Sequence, residues 1–344
     1  MTFENLSVMA NPLNLEDIAK LAGVSKTTVS SVLNGKADKY RISKATQAKV
    51  LAVAEQNNYQ PNHSAAALRR GKSHSVGFIV PDFENRSYLR IAARLEKLAR
   101  HNGFQLIIAS SDDNPENEKQ AAQMLISRGV DALLVSTCLN DFTPYRRFLA
   151  AGTPIISLDR AMTEEFSNVI SDDRQGARAL TQALALKDTT SVCLIGAMKD
   201  LEISQLRQAG FYDALKNTPE IKGRCFYGEH FDAASGAAAF AQALKAHNGL
   251  PPALICTSYS LLEGVIETLQ RDFREVFSIQ PTPIQLATFG NSRLLDFLPI
   301  PVVSLPQQYE QIAESSWMLV QQAIENSYQP QKIVIRRKLL HHLR

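Results

Sequence analysis

From Ser75 towards the C-terminus the chain alternates short β-rich runs with amphipathic helical stretches, and this alternation constrains the fold more than any other feature. The β-rich runs are Val76–Val80, Gln105–Ala109, Asp131–Ser136, Pro154–Leu158, Ser191–Ile195, Ala253–Thr257 and Ile284–Phe289. Between them, helical spacing covers Ser87–Asn102, Pro115–Ser127, Arg174–Leu186, Leu201–Lys216, Asp232–Ala246, Ser260–Arg271 and Gln308–Ile324. Runs this short and apolar are strands buried on both faces, and strands joined by helices must pair in parallel. The length predicts two lobes, with ligands held at the carboxyl ends of the strands between them.

The segment before this body has a different character. Between Asn14 and Ser73 ten basic residues face four acids, although the whole chain carries only +3. A basic head on a mildly acidic body is the charge layout of a nucleic-acid binder. Asn14 is a helix N-cap, followed by Glu16 and Asp17 where the helix dipole favours acids. Leu15, Ile18, Ala19, Leu21 and Ala22 recur at helical spacing until Gly23 breaks the helix. Ser25 caps a second helix, Lys26 to Leu33, and Ser43 caps a third that buries Val50, Leu51 and Ala54. Two short helices braced by a third form a helix-turn-helix unit, whose second helix enters the DNA major groove. Lys26, Thr27, Thr28, Ser30 and Ser31 supply hydrogen-bonding groups for phosphates and base edges, and Asn34, Lys36 and Arg41 extend that face into the following loop.

The string Leu15–Glu16–Asp17–Ile18–Ala19–Lys20–Leu21–Ala22–Gly23–Val24–Ser25–Lys26–Thr27–Thr28–Val29–Ser30, with Val32–Leu33–Asn34–Gly35 and the later Asn58–Tyr59–Gln60–Pro61–Asn62, resembles the head of the LacI/GalR family of bacterial transcription regulators. The likeness runs over nearly the whole chain after the first dozen residues. It implies an all-α helix-turn-helix domain plus a type I periplasmic-binding-protein-like α/β core of two lobes. It also implies an operator-DNA partner and a homodimer or tetramer. The expected layout is an N-terminal extension over 1–13, the DNA-binding domain over 14–60, a hinge helix and linker over 61–73, and an effector-binding and dimerisation core over 74–344. From its residues alone, Asn62 to Arg70 is a short alanine-rich helix, marginal in water. The resemblance makes it a hinge that orders on the operator, with Asn62, Ala65 and Arg69 at the DNA and Leu68 wedged into the minor groove to kink it.

Polar clusters stand at the predicted strand ends: Asp82, Glu84 and Tyr88 after the first strand, then Asp159–Arg160, Ser258 and Gln307, with Arg207 on a helix start. An acid beside arginines suits a sugar phosphate, since a carboxylate accepts from hydroxyls and guanidinium grips phosphate bidentately. The resemblance matches Arg207, in its Arg-x-x-Gly-Phe pattern, to an effector-contacting arginine. It matches Asp159 to a position that binds sugar hydroxyls, and places Phe231, Ser258 and Gln307 in the cleft. Within the family, Val80–Pro81–Asp82–Phe83–Glu84–Asn85, Leu158–Asp159–Arg160–Ala161 and Ala287–Thr288–Phe289–Gly290 resemble the subgroup of fructose repressors, which implies a phosphorylated fructose, chiefly fructose 1-phosphate, as effector. Sucrose-operon repressors, which sense an unphosphorylated sugar, share much of the pattern. One departure stands out: Asn291 occupies a position that is acidic in many family members.

Other functions find less support. GxSxG, HExxH and GxGxxG are absent, so no motif argues for an enzyme, a bound metal or a resident cofactor. His341–His342 reads as a solvated tail. Four scattered cysteines without a CxxC pair suit free thiols in a reducing cytosol, and the first dozen residues lack the basic start and apolar middle of an export signal. A transport solute-binding protein would share the body but would leave the basic head unexplained.

Overall fold

The structure is a computed structural model describing residues 13–59, 72–184 and 189–342. The chain divides into two compact units, 1–73 and 74–344. The expected hinge residues Asn62, Ala65, Leu68 and Arg69 lie outside the described residues.

The first unit contains α1 (Leu15–Ala22), α2 (Lys26–Leu33) and α3 (Lys44–Gln56). Each begins at a side-chain cap. Asn14 forms a reciprocal capping box with Asp17, and the Ser25 and Ser43 side chains accept from the Thr28 and Thr46 amides. Gly23 ends α1 at φ 62°, a left-handed turn that suits glycine. Ile18, Ala22, Val29, Val32, Ala37 and Val50 form the core. Leu51, expected inside, is 51% exposed, and Leu21 is 54% exposed. A three-helix unit this small has one shared interior, and Val50 with Ala54 already fills α3's side of it.

The second unit holds two six-stranded sheets. In chain order the elements are β1 (Ser75–Val80), α4 (Arg86–His101), β2 (Gln105–Ser110), α5 (Pro115–Ser127), β3 (Ala132–Val135), α6 (Thr143–Ala150), β4 (Ile155–Leu158) and β5 (Ser167–Ser171). There follow α7 (Asp173–Gln182), β6 (Ser191–Ala197), α8 (Glu202–Leu215), β7 (Lys222–Gly228), α9 (Ala233–His247), β8 (Ala253–Cys256) and α10 (Tyr259–Asp272). The last are β9 (Gln285–Phe289), β10 (Val302–Leu305), α11 (Tyr309–Gln322), β11 (Lys332–Ile335) and β12 (Leu340–His342). One sheet has the order β11-β5-β4-β3-β1-β2 and the other β12-β10-β9-β8-β6-β7. All pairs are parallel except β10 with β12.

Both sheets thus follow one plan, in which the first strand is flanked by the second and third, and a late strand is added at the edge. The strand order reverses beside β1 and beside β6, and at such switch points crevices open at the carboxyl ends. The chain passes between lobes three times: after β5, after β10 and after β11. Apolar clusters cover both faces of each sheet. Three strands escaped the sequence reading: β5, β7 and β12, the last because its histidines read as a solvated tail. Ser167–Ser171 is polar yet buried, because Asn168 bonds the Met162 amide and the Phe166 carbonyl, while Lys222–Gly228 is an edge strand bonded only to β6. Among the described residues, no helix is long and apolar enough to cross a membrane.

Candidate functional site

In the first unit, Lys26 and Thr27 at the start of α2 are exposed, Thr28, Ser30 and Ser31 are half-buried, and Asn34, Lys36 and Arg41 are exposed beyond its end. Ser25 organises this surface: its hydroxyl lies 2.7 Å from that of Thr27 and 2.8 Å from that of Thr28. Asn34 donates to the Ser30 carbonyl at 2.6 Å, closing the C-terminal turn of α2. Lys26 sits 3.8 Å from Glu16, with both side chains more than half exposed (55% and 59%), a weak pair that a phosphate can displace. The result is a short helix with hydroxyls and cations on one face and Val29 and Val32 on the other.

In the second unit, loops from both sheets converge on one cleft. Its lining includes Glu84, Tyr88, Asp159, Arg160, Arg207, Phe231, Ser258, Asn291 and Gln307, nine of the ten residues named above for the effector. Asp82 is the exception. Its carboxylate accepts from the Glu84 amide at 2.8 Å, and it lines a neighbouring depression with Asp112, Asp113, His230 and Asp232. A local turn holds the side chain there.

Asp159 follows β4 at φ 67°, a left-handed conformation unusual for a residue with a side chain. Its carboxylate accepts from the Tyr88 hydroxyl at 2.8 Å and from the Gln307 amide, and lies 3.9 Å from Arg337. Burial, reinforced by the Asp159 charge, pushes the Tyr88 phenol far above its ordinary range, so Tyr88 remains a neutral donor. Ser136 donates to the same phenolic oxygen at 3.1 Å.

The second carboxylate, Asp173, opens α7 and takes Arg207 Nε at 2.8 Å and an Arg337 amino group at 3.2 Å. Arg207 reaches it because α8 packs unusually close to α7. A Cβ on Gly210 would stand 2.0 Å from the Arg174 carbonyl oxygen, and Phe211 beside it is fully buried. Arg207 also donates to the Thr257 carbonyl at 2.6 Å, and both guanidinium groups lie over Phe289, at 4.4 and 5.3 Å. Arg160 forms the third pair, with two bonds to Asp113, and faces Phe231 at 5.8 Å. Burial opposes the Arg160 charge, but the Asp113 and Asp159 carboxylates beside it outweigh that, and the guanidinium stays cationic.

Three buried arginines are therefore balanced by three carboxylates across both lobes. Thr257 Oγ1, Gln307 Oε1 and Arg337 Nε are buried in the same cleft without a partner among the described residues. Buried polar atoms are rarely left so, and here they point to a polar ligand. Sequence reasoning missed Asp113, Asp173 and Arg337. An acid opening the helix predicted from Arg174 was a usable signal for Asp173. Arg337 stands in a basic run, Arg336–Arg337–Lys338, where nothing local separates a buried arginine from a solvated one.

Residues 14–62 match the family described as bacterial regulatory proteins, lacI family, and residues 76–293 match a periplasmic binding protein domain. The chain is 47% identical to the fructose operon regulatory protein of Vibrio cholerae over 95% of this chain and 99% of that protein. It is 40% identical to the catabolite repressor/activator of Escherichia coli K12 over 92% of this chain and 94% of the relative. A crystal structure of the Cra transcriptional dual regulator from Pseudomonas putida, in complex with fructose 1-phosphate, superposes with a TM-score of 0.74 at 41% identity, covering 79% of this chain and 99% of that one. The lac repressor dimer bound to operator shares the fold at a TM-score of 0.80 and 20% identity, covering 96% of this chain and 98% of that one. With its capped helix-turn-helix head and two-sheet body, this chain belongs to the lacI family of bacterial regulatory proteins and is a DNA-binding transcription regulator.

Proposed function

We propose that this regulator controls genes of fructose metabolism and that a sugar phosphate, fructose 1-phosphate in the first instance, releases it from its operator. The observation that carries the reading is the cleft, where Asp159 can accept from sugar hydroxyls and buried Arg160, Arg207 and Arg337 surround a space suited to an anion. The fructose 1-phosphate in the Pseudomonas putida relative supports the same effector class. Two copies of the head read the half-sites of a pseudo-palindromic operator, so the working unit is a homodimer, with a tetramer as the larger option. Leu68 wedges the central minor groove, assisted by Asn62, Ala65 and Arg69. Effector closes the lobes and weakens the DNA-bound arrangement, and by linkage the operator weakens effector binding by the same factor. No metal or resident cofactor takes part, the role is regulatory rather than catalytic, and the site of action is the bacterial cytoplasm, where the DNA is.

The test is a titration with fructose 1-phosphate, fructose 6-phosphate, fructose and sucrose, read by thermal shift and by release of a labelled operator fragment. Stabilisation and release by fructose 1-phosphate bear the reading out. Release by fructose or sucrose alone would place the protein with the sucrose operon repressor of Klebsiella pneumoniae, to which it is 31% identical over 91% of this chain and 92% of that protein. The arginines would then have no phosphate to hold.

A further inference from the structure

Asn291, the uncharged residue in the cleft, is wired to the C-terminus. Gly290 bridges Leu305 at the end of β10, its amide bonding the Leu305 carbonyl at 3.1 Å, and this sets Asn291 beside Ser304. The Ser304 hydroxyl lies 3.4 Å from Asn291 Oδ1 and 2.8 Å from His342 Nε2. His342 Nδ1 lies 2.6 Å from Asp296 Oδ1. The histidine expected to be a solvated tail is therefore inside: β12 pairs with β10, and its side chain is 7% exposed. The serine–histidine–aspartate order is that of a hydrolase relay, but Ser304 is 0% exposed in a central strand and its oxygen faces an amide rather than an open site. What the arrangement can do is orient that amide.

We propose that Asp296, His342 and Ser304 form a hydrogen-bond relay that sets which end of the Asn291 carboxamide faces the effector, making His342 a positioning residue for effector choice. Asp296 accepts only, so it fixes the histidine proton on Nδ1. In the neutral ring Nε2 is then bare and takes the Ser304 proton. The serine lone pairs face Asn291, which turns its NH2 towards them and offers the cleft its oxygen. In the charged ring Nε2 donates to Ser304. The hydroxyl then turns to Asn291 Oδ1, the contact present in the structure, and the NH2 is left for the cleft. An ionised phosphate oxygen accepts and cannot donate, so the second arrangement favours a sugar phosphate. An acid at position 291 could never offer a donor in its ionised form, which gives a physical meaning to the asparagine here.

Among the described residues, two elements face His342. Asp296 approaches from the Arg293–Phe297 turn, and β10 presents Val302 and Ser304, which carry no charge. Arg293 in the same turn is exposed. Effector binding should take up a proton, because the bound state favours the charged ring.

This rests on the sugar-phosphate reading of the cleft, and the experiment separates the two. Affinity for fructose 1-phosphate is measured by calorimetry between pH 6 and 8 for the full-length protein and for Ser304→Ala, Ser304→Thr and His342→Gln. The phosphate ester titrates in the same range, so the difference between wild type and variant is the readout. Wild type should gain about three- to tenfold more affinity than Ser304→Ala as pH falls, the worth of one hydrogen bond. Ser304→Thr keeps the hydroxyl and should restore the gain, while His342→Gln should abolish it. The 15N shifts of His342 should report the Nδ1–H tautomer without ligand and a more protonated ring with it. Identical pH profiles in wild type and Ser304→Ala, or an imidazole unchanged by ligand, would overturn the relay. Failure of wild type to bind any sugar phosphate would instead overturn the reading of the cleft.

Discussion

Replacing Asp173 by Asn tests the charge balance of the cleft. Its carboxylate, 3% exposed, receives Arg207 at 2.8 Å and Arg337 at 3.2 Å. Asparagine keeps the shape and one acceptor oxygen but removes the charge, leaving three buried guanidinium groups against two carboxylates. Arg207 retains the Thr257 carbonyl, and Arg337 retains Asp159 at a looser 3.9 Å. Breaking a buried ion pair costs about 3–5 kcal/mol, and the retained acceptor puts this variant at about 3 kcal/mol. For a domain of this size each kcal/mol moves Tm by about 2–4 °C, so the body should melt roughly 6–12 °C lower. Part of that loss should be reversible. An anion entering the cleft replaces the missing charge, so a sugar phosphate should raise Tm more in the variant than in wild type, and uncharged fructose should not. The assay is thermal unfolding of the full-length protein, followed by circular dichroism, with and without fructose 1-phosphate. A variant as stable as wild type would refute the claim that Asp173 balances two buried cations. Equal ligand shifts in both proteins would refute the claim that the phosphate sits within their field.

Other consequences can be checked separately. Gly210→Ala should force α7 and α8 apart, costing about 1–3 kcal/mol in denaturant titrations and weakening effector binding, because a methyl cannot sit 2.0 Å from the Arg174 carbonyl oxygen; unchanged stability would mean that the helices yield freely. Lys26→Ala should reduce the salt dependence of operator affinity by about one unit of log–log slope in anisotropy titrations while leaving effector affinity alone, the behaviour of a single phosphate contact. Hydrogen bonds from Arg174 and Lys216 hold the Asp213 carboxyl well below the usual carboxylate range. A depressed folded-state pKa adds stability above the ordinary value, near pH 4, and that stability is lost as pH falls from there towards the folded value. Asp213→Asn should therefore show a shallower acid-unfolding profile than wild type below about pH 4, and superimposable profiles would count against the pairing.

Much of this was legible in the sequence because it depends on local rules. The caps Asn14, Ser25 and Ser43 place three helices without any tertiary information, since each side chain bonds an amide two or three residues away. Apolar runs of four to seven residues mark most strands, because a strand buried on both faces needs no alternation. The strand ends then single out Asp159, Arg160, Ser258 and Gln307, since the topology of a doubly wound sheet directs its carboxyl ends to the ligand.

The tertiary structure decided everything that required a partner distant in the chain. Arg337 looks like any arginine of a basic tail until the third crossing carries it between Asp159 and Asp173, separated from it by more than 160 residues. His342 looks like a solvated end until β12 pairs with β10 and leaves Ser304 and Asp296 on either side of its ring. Asp82, by contrast, has a suitable position in sequence, but its own turn holds it outside the cleft. Periodicity and capping report what a residue does within a few positions of itself. The pairing of buried charges is set by which lobes meet, and a charge can stay buried only after that meeting has supplied its counterion.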